Sequence, residues 1–250
     1  MDYSVNALVL RSLPVGDYDK SLTLLAEGEG PIRCWAKAAG RIKSPLLAAS
    51  AVFTYGRYTL NKRGERVTVG QAEVVESFFD LRKDIGALAA AGFVAELCSA
   101  LTVEGQADDA LLRLTLNALY ALSRGVAGCD AILGAYAFRA LSEAGYMPHL
   151  EGCVRCGGRD EVYAFSPLDG GLVCRRCAPA AKPLPGAAVD AMRYITTCED
   201  KKLYMFKTEG GLDGQLAALA AEYAQNQLAR PFETFSFYQT IHLPQERQKT

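Results

Sequence analysis

The sequence predicts an α+β, multi-domain chain: an N-terminal barrel of five short strands, followed by a helical bundle into which a four-cysteine module is inserted. Three observations carry this. Residues 1–80 hold short apolar or alternating runs divided by turn signals. Residues 81–147, and the chain after 186, repeat Leu and Ala at helical spacing. Between these helical stretches lie two Cys-x-x-Cys pairs, Cys153-Val154-Arg155-Cys156 and Cys174-Arg175-Arg176-Cys177, with seventeen residues between them.

In chain order, Ala7-Leu8-Val9-Leu10 and Leu22-Thr23-Leu24-Leu25 are the first two strand signals, the second ending at the turn Glu27-Gly28-Glu29-Gly30. Pro31 to Lys37 alternates polar and apolar, and Val52 to Leu60 is rich in Phe, Tyr, Val and Thr. Arg63-Gly64-Glu65-Arg66 reads as a hairpin turn into Val67-Thr68-Val69 and on to Val74-Val75. Five strands with no helical period between them close most simply as a small barrel over 1–80. Helices follow on Leu88, Ala91, Val94, Leu97 and Leu101, then on Leu111 to Leu122 with Asp108 or Asp109 as N-cap, then on Ile132, Tyr136 and Leu141 up to Gly145. The cysteine module spans 148–182, with a strand at Val162 to Pro167 and a hairpin through Gly170-Gly171. Helices near 186–198 and 212–229 complete the bundle within 183–250, and the polar end, Gln245 to Thr250, is expected to fray.

Four thiolates in two tight pairs can close a tetrahedron around one Zn²⁺, so Cys153, Cys156, Cys174 and Cys177 are the expected ligands of a structural ion. Gly157 and Gly158 permit the tight backbone of a knuckle. Two disulfides would suit a secreted chain, but Met1 to Asn6 has neither a basic start nor an apolar core, so a reducing cytoplasm is expected. A thioredoxin-like redox site would use one pair and leave the other idle. Such a zinc site has no open position for water or substrate, which argues against chemistry there. Cys34, Cys98, Cys129 and Cys198 read as small buried hydrophobes.

Of the 250 residues, 50% are hydrophobic and 22% charged, ample for a core. No apolar stretch reaches the roughly 18 residues of a membrane span. The formal net charge is −1, so any affinity for nucleic acid must come from a local patch. No phosphate loop, dinucleotide fingerprint or nucleophile elbow is present, and the two histidines, His149 and His242, have no evident catalytic partners. These absences weigh against an enzyme. The barrel offers a patch instead. Arg33, Lys37, Arg41 and Lys43 fall within eleven residues around Trp35, the only tryptophan, and Arg57, Lys62, Arg63 and Arg66 follow beside Tyr55 and Tyr58. Cations attract phosphates and aromatic faces stack on unpaired bases. The residues alone equally allow a solvated face over aromatic core. They also leave open a zinc-ribbon adaptor that binds protein, or a hydrolase or transferase of unseen site.

The ordered text is more specific. Ala7 to Leu25, containing Arg11-Ser12-Leu13-Pro14-Val15-Gly16-Asp17-Tyr18-Asp19-Lys20, resembles the opening of the bacterial recombination-mediator family RecO. Gly30, Ala36-Lys37-Ala38-Ala39-Gly40-Arg41, Lys43-Ser44 with Leu46-Leu47, and Gln71 to Phe78 are similar to the family's next motifs, as are Phe165-Ser166-Pro167 and Gly170-Gly171-Leu172 between the cysteine pairs. The resemblance spans most of the chain and fades after about residue 185. It implies an N-terminal OB-fold, a helical domain and a zinc-finger-like module. It implies binding of single- and double-stranded DNA, annealing of complementary strands, and help in loading RecA onto strands coated by single-strand-binding protein, in the cytoplasm and at the nucleoid, without turnover of a substrate. The implied partners are DNA, RecR, the C-terminal tail of the single-strand-binding protein, and RecF as a further candidate.

Overall fold

The alternation in the first quarter of the chain forms a closed barrel. In the computed structural model, which describes residues 2–159, 162–209 and 211–242, the strands are β1 (Asp2–Val15), β2 (Asp19–Ala26), β3 (Gly30–Ala36), β4 (Tyr55–Arg63) and β5 (Arg66–Glu76). They close in the order β1-β2-β3-β5-β4, the OB-fold order. All neighbours are antiparallel except β3 and β5, which join in parallel where Trp35 meets Thr68. The barrel interior is Val5, Ala7, Val9, Leu22, Leu24, Cys34, Ala36, Tyr58, Leu60, Val67 and Val69. The turn-rich segment between β3 and β4 plugs one mouth. Leu46 and Ala49 enter the interior, and the Tyr58 hydroxyl donates to the Ala49 carbonyl at 2.7 Å.

Two strand expectations need correction. The first strand is fourteen residues long rather than a short run, and a bulge between Val9 and Arg11 lets it curve around the barrel. The fourth begins at Tyr55 and not at Val52, because Phe53 takes a left-handed backbone (φ 70°) and buries its ring among the helices. The frayed end expected at Gln245 to Thr250 lies outside the described residues.

The bundle consists of α1 (Ile85–Leu101), α2 (Asp109–Arg124), α3 (Cys129–Glu143), α4 (Gly186–Thr197), α5 (Leu212–Leu228) and α6 (Glu233–His242). Asp108 caps α2 by accepting the Leu111 N–H at 2.9 Å. Gly145 (φ +93°) ends α3, with the Tyr146 N–H on the Leu141 carbonyl and the Gly145 N–H on the Ser142 carbonyl. The sixth helix has no counterpart in the sequence reading. Phe235 and Tyr238 bury one face of it, and Phe232, just before it, packs edge-on against Phe93 of α1. None of the described helices is long and apolar enough to cross a membrane.

Barrel and bundle share a core. Leu8, Leu10 and Leu25, on the outer surface of β1 and β2, are buried in the same cluster as Phe93, Leu97 and Leu111 of the helices. The β2–β3 turn is fastened to the start of α2, where Asp109 Oδ1 accepts the Gly28 N–H at 2.8 Å. Gly30 beside it has φ +80°, and a Cβ there would lie 2.0 Å from the Gln106 carbonyl oxygen. We expect Gly30→Ala to cost about 2–4 kcal/mol, combining backbone strain with overlap against fixed main chain. Gly16→Ala, equally left-handed but with open space around it, is the control, expected to lose only about 1 kcal/mol in urea unfolding.

Candidate nucleic-acid interface and metal centre

On β3 the alternation buries Cys34 and Ala36 and turns Arg33 and Trp35 outward, Arg33 exposed and Trp35 half-buried, and Lys37, the first residue past the strand, is exposed as well. Arg33 lies about 13 Å along the chain from Lys37 and points into a cleft of about 760 Å³ between the barrel and α1, with Arg11, Glu96 and Glu104 on its walls. Arg41 and Lys43 are exposed on the plug segment. That segment is held in place by the Ala38 N–H on Asp19 Oδ1 (2.7 Å), the Gly40 N–H on the Tyr18 carbonyl (2.7 Å), and Lys20 Nζ on Ser50 Oγ (2.9 Å).

The second set divides. Arg63 and Arg66 face each other across the β4–β5 hairpin, with Lys62 next to them opposite Val67. Arg66 reaches over the Trp35 ring, so this hairpin adjoins β3. Arg57 stands apart, flanked across the sheet by Glu73 and Asn6. Arg33, Lys37, Arg41, Lys43, Arg57, Arg63 and Arg66 form no ion pair with a described residue. Sequence reading also missed Tyr18, half exposed beneath Arg41, whose guanidinium comes from a segment twenty-three residues further on.

The cysteine pairs do converge. β6 (Val162–Ser166) and β7 (Gly171–Cys174) form a hairpin, and Cys174 ends its second strand. Cys153 precedes a turn closed by the Gly157 N–H on its carbonyl (2.8 Å), with Gly157 at φ +73°. The four sulfurs of Cys153, Cys156, Cys174 and Cys177 all lie within 4.8 Å of one another, and those of Cys156 and Cys174 are 3.8 Å apart. A tetrahedral ion with sulfur at about 2.3 Å sets its sulfurs about 3.8 Å apart, so the donor set fits. Backbone N–H groups, chiefly that of Cys174, lower the Cys153 thiol to about 6, while the neighbouring sulfurs push Cys177 up to about 12. Four thiolates need a cation to be charged together.

Arg155 braces the module. Its Nε and Nη2 donate to Asp169 Oδ2 at 3.0 and 2.7 Å, and its Nη1 to the Cys177 carbonyl at 2.7 Å. Arg175 instead covers Tyr163 at 5.5 Å, and Arg176 is exposed. His149 serves through its backbone, which bonds Gly170 and Leu172; His242 is the last described residue. The module is seated on the bundle through Phe165, edge-on to both Phe138 and Tyr223. Of the remaining cysteines, Cys34 and Cys98 are buried and pushed up to about 12, whereas Cys129 and Cys198 are only half-buried, because each stands at the end of a helix.

Cys153→Ser is expected to abolish stoichiometric metal in elemental analysis. A chelator should lower the melting temperature of the native chain by about 5–10 °C. Metal retained at full stoichiometry by the variant would show the ligands to lie elsewhere.

Residues 1–78 match the family model described as Recombination protein O N terminal, and residues 82–234 that described as Recombination protein O C terminal. Proteins named DNA repair protein RecO are similar along nearly the whole length. That of Acetivibrio thermocellus is 29% identical over 247 residues, covering 96% of this chain and 98% of the relative. Those of Desulforudis audaxviator (31% over 239 residues; 94% and 95%) and Symbiobacterium thermophilum (28% over 246 residues; 96% and 97%) are alike. With its OB-fold barrel, its helical bundle and both halves matched, the chain belongs to the RecO family of DNA repair and recombination proteins.

Proposed function

We propose that this protein is a recombination mediator without turnover chemistry. It binds single- and double-stranded DNA along the barrel, anneals complementary strands, and helps load RecA onto DNA coated by single-strand-binding protein. RecR, the C-terminal tail of the single-strand-binding protein and RecF are its proposed partners, at the nucleoid. A structural Zn²⁺ on Cys153, Cys156, Cys174 and Cys177 keeps the module rigid.

The carrying observation is the set of exposed cations Arg33, Lys37, Arg41, Lys43, Arg63 and Arg66, none ion-paired with a described residue, in a chain whose net charge is −1. Arg63 opposite Arg66 supports it. Like charges facing each other across a ladder are destabilising, and a polyanion relieves that repulsion. Grip through phosphates ignores sequence, which suits a protein that must hold any two complements. Arg33, Lys37, Arg41, Lys43, Lys62, Arg63 and Arg66 are the proposed contacts, with Arg57 a weaker one beside Glu73.

Charge reversal at Arg33, Lys37, Arg41 and Lys43 is expected to abolish most retention of single strands in a low-salt gel shift. Alanine at the same four positions should flatten the log–log salt dependence by about 3. Unchanged retention would sink the assignment. Annealing of complementary strands, measured with and without single-strand-binding protein across a salt series, tests the wider role; partner binding indifferent to salt, with no strand shift, would favour a protein adaptor instead.

A further inference from the structure

Two aromatic rings on the outer surface of the barrel are each covered by one guanidinium. Arg41 Cζ stands 5.0 Å over the Tyr18 centroid, and Arg66 Cζ 5.5 Å over that of Trp35. Neither ring belongs to the barrel interior, and Tyr18 is 50% exposed. Ser21 pairs with Trp35 and Lys20 with Ala36 across β2 and β3, so Tyr18 comes level with the first residues after β3, roughly 10 Å from Trp35 by strand rise. The Gly40 N–H bonds the Tyr18 carbonyl, and a Cβ on Gly40 would sit 3.1 Å from that oxygen, so the plug segment seats tightly against the Tyr18 backbone.

We infer that Tyr18 and Trp35 are stacking platforms for unpaired bases, with Arg41 and Arg66 as exchangeable covers; the inference rests on the DNA-binding reading above. An exposed cation on a ring is held by about 2- to 5-fold. A nucleobase on an aromatic ring gains about 5- to 150-fold. The base therefore displaces the guanidinium, which is then free to pair with the phosphate arriving on the same strand. Bases within a duplex have their faces occupied and cannot make the exchange. The cations thus supply affinity for either form of DNA, and the two rings supply preference for single strands.

Trp35 is the only tryptophan, so its fluorescence reports its own site. The probes are an oligothymidylate, the same strand paired with its complement, and an abasic strand of equal length, all bound to the full chain. The oligothymidylate is expected to quench Trp35, whereas the duplex and the abasic strand leave it bright. Tyr18→Ala should weaken oligothymidylate binding about tenfold with no change for duplex or abasic strand, and Tyr18→Phe should bind as the native chain does. Equal losses on all three probes, or none, would overturn the platforms while leaving the electrostatic grip intact. A native chain that retains no probe at low salt overturns both readings.

Discussion

Burial of the outer surface of β1 and β2 against the helices is the constraint from which the rest follows. A five-stranded barrel has no preferred back or front until something covers it. Leu8, Leu10 and Leu25 are apolar where a free barrel would be polar, and they join the bundle's own core. Removing three leucines from water contributes several kcal/mol at about 25 cal/mol per Å². Once that side is covered, β3, the β4–β5 hairpin and the plug segment are left to solvent. The cations of the N-terminal quarter are concentrated there.

The same logic holds at the other end of the bundle. The cysteine hairpin is small, and its own interior amounts to Cys153, Ala164, Val173, Cys174 and a few half-buried neighbours. A core of that size cannot hold a fold by burial alone. It has two supports: the thiolates gathered for an ion, and the ring contacts of Phe165 with Phe138 and Tyr223. Arg155 joins the two knuckles from the solvent side. The arrangement gives the sulfur cluster a structural task, joining the two knuckles of a hairpin that is too small to hold itself together.

Much of this was legible in the residues, and the failures have physical causes. The strands, five of the helices and the cysteine tetrad follow from periods and spacings set by local geometry. Strand β1 was read short because only Ala7 to Leu10 is continuously apolar; the remainder alternates, and its bulge resets the phase. Helix α6 was missed because its buried face rests on two aromatics one turn apart, too few to make a period. The candidate site shows the sharper limit. Spacing brought Arg33 and Trp35 to one face of a strand, but no local rule relates Tyr18 to Arg41, or Arg155 to Asp169. Those pairs are made by the tertiary fold.

The leucines of β1 and β2 bear on how this protein can be dissected. A fragment ending near residue 80 would carry every strand of the barrel and yet bare a greasy stripe along its back, with Phe53 added to it. Such a stripe invites self-association. The seam visible in the amino-acid text is thus no place to cut, and point substitutions in the intact chain are the sounder way to divide the labour of its parts.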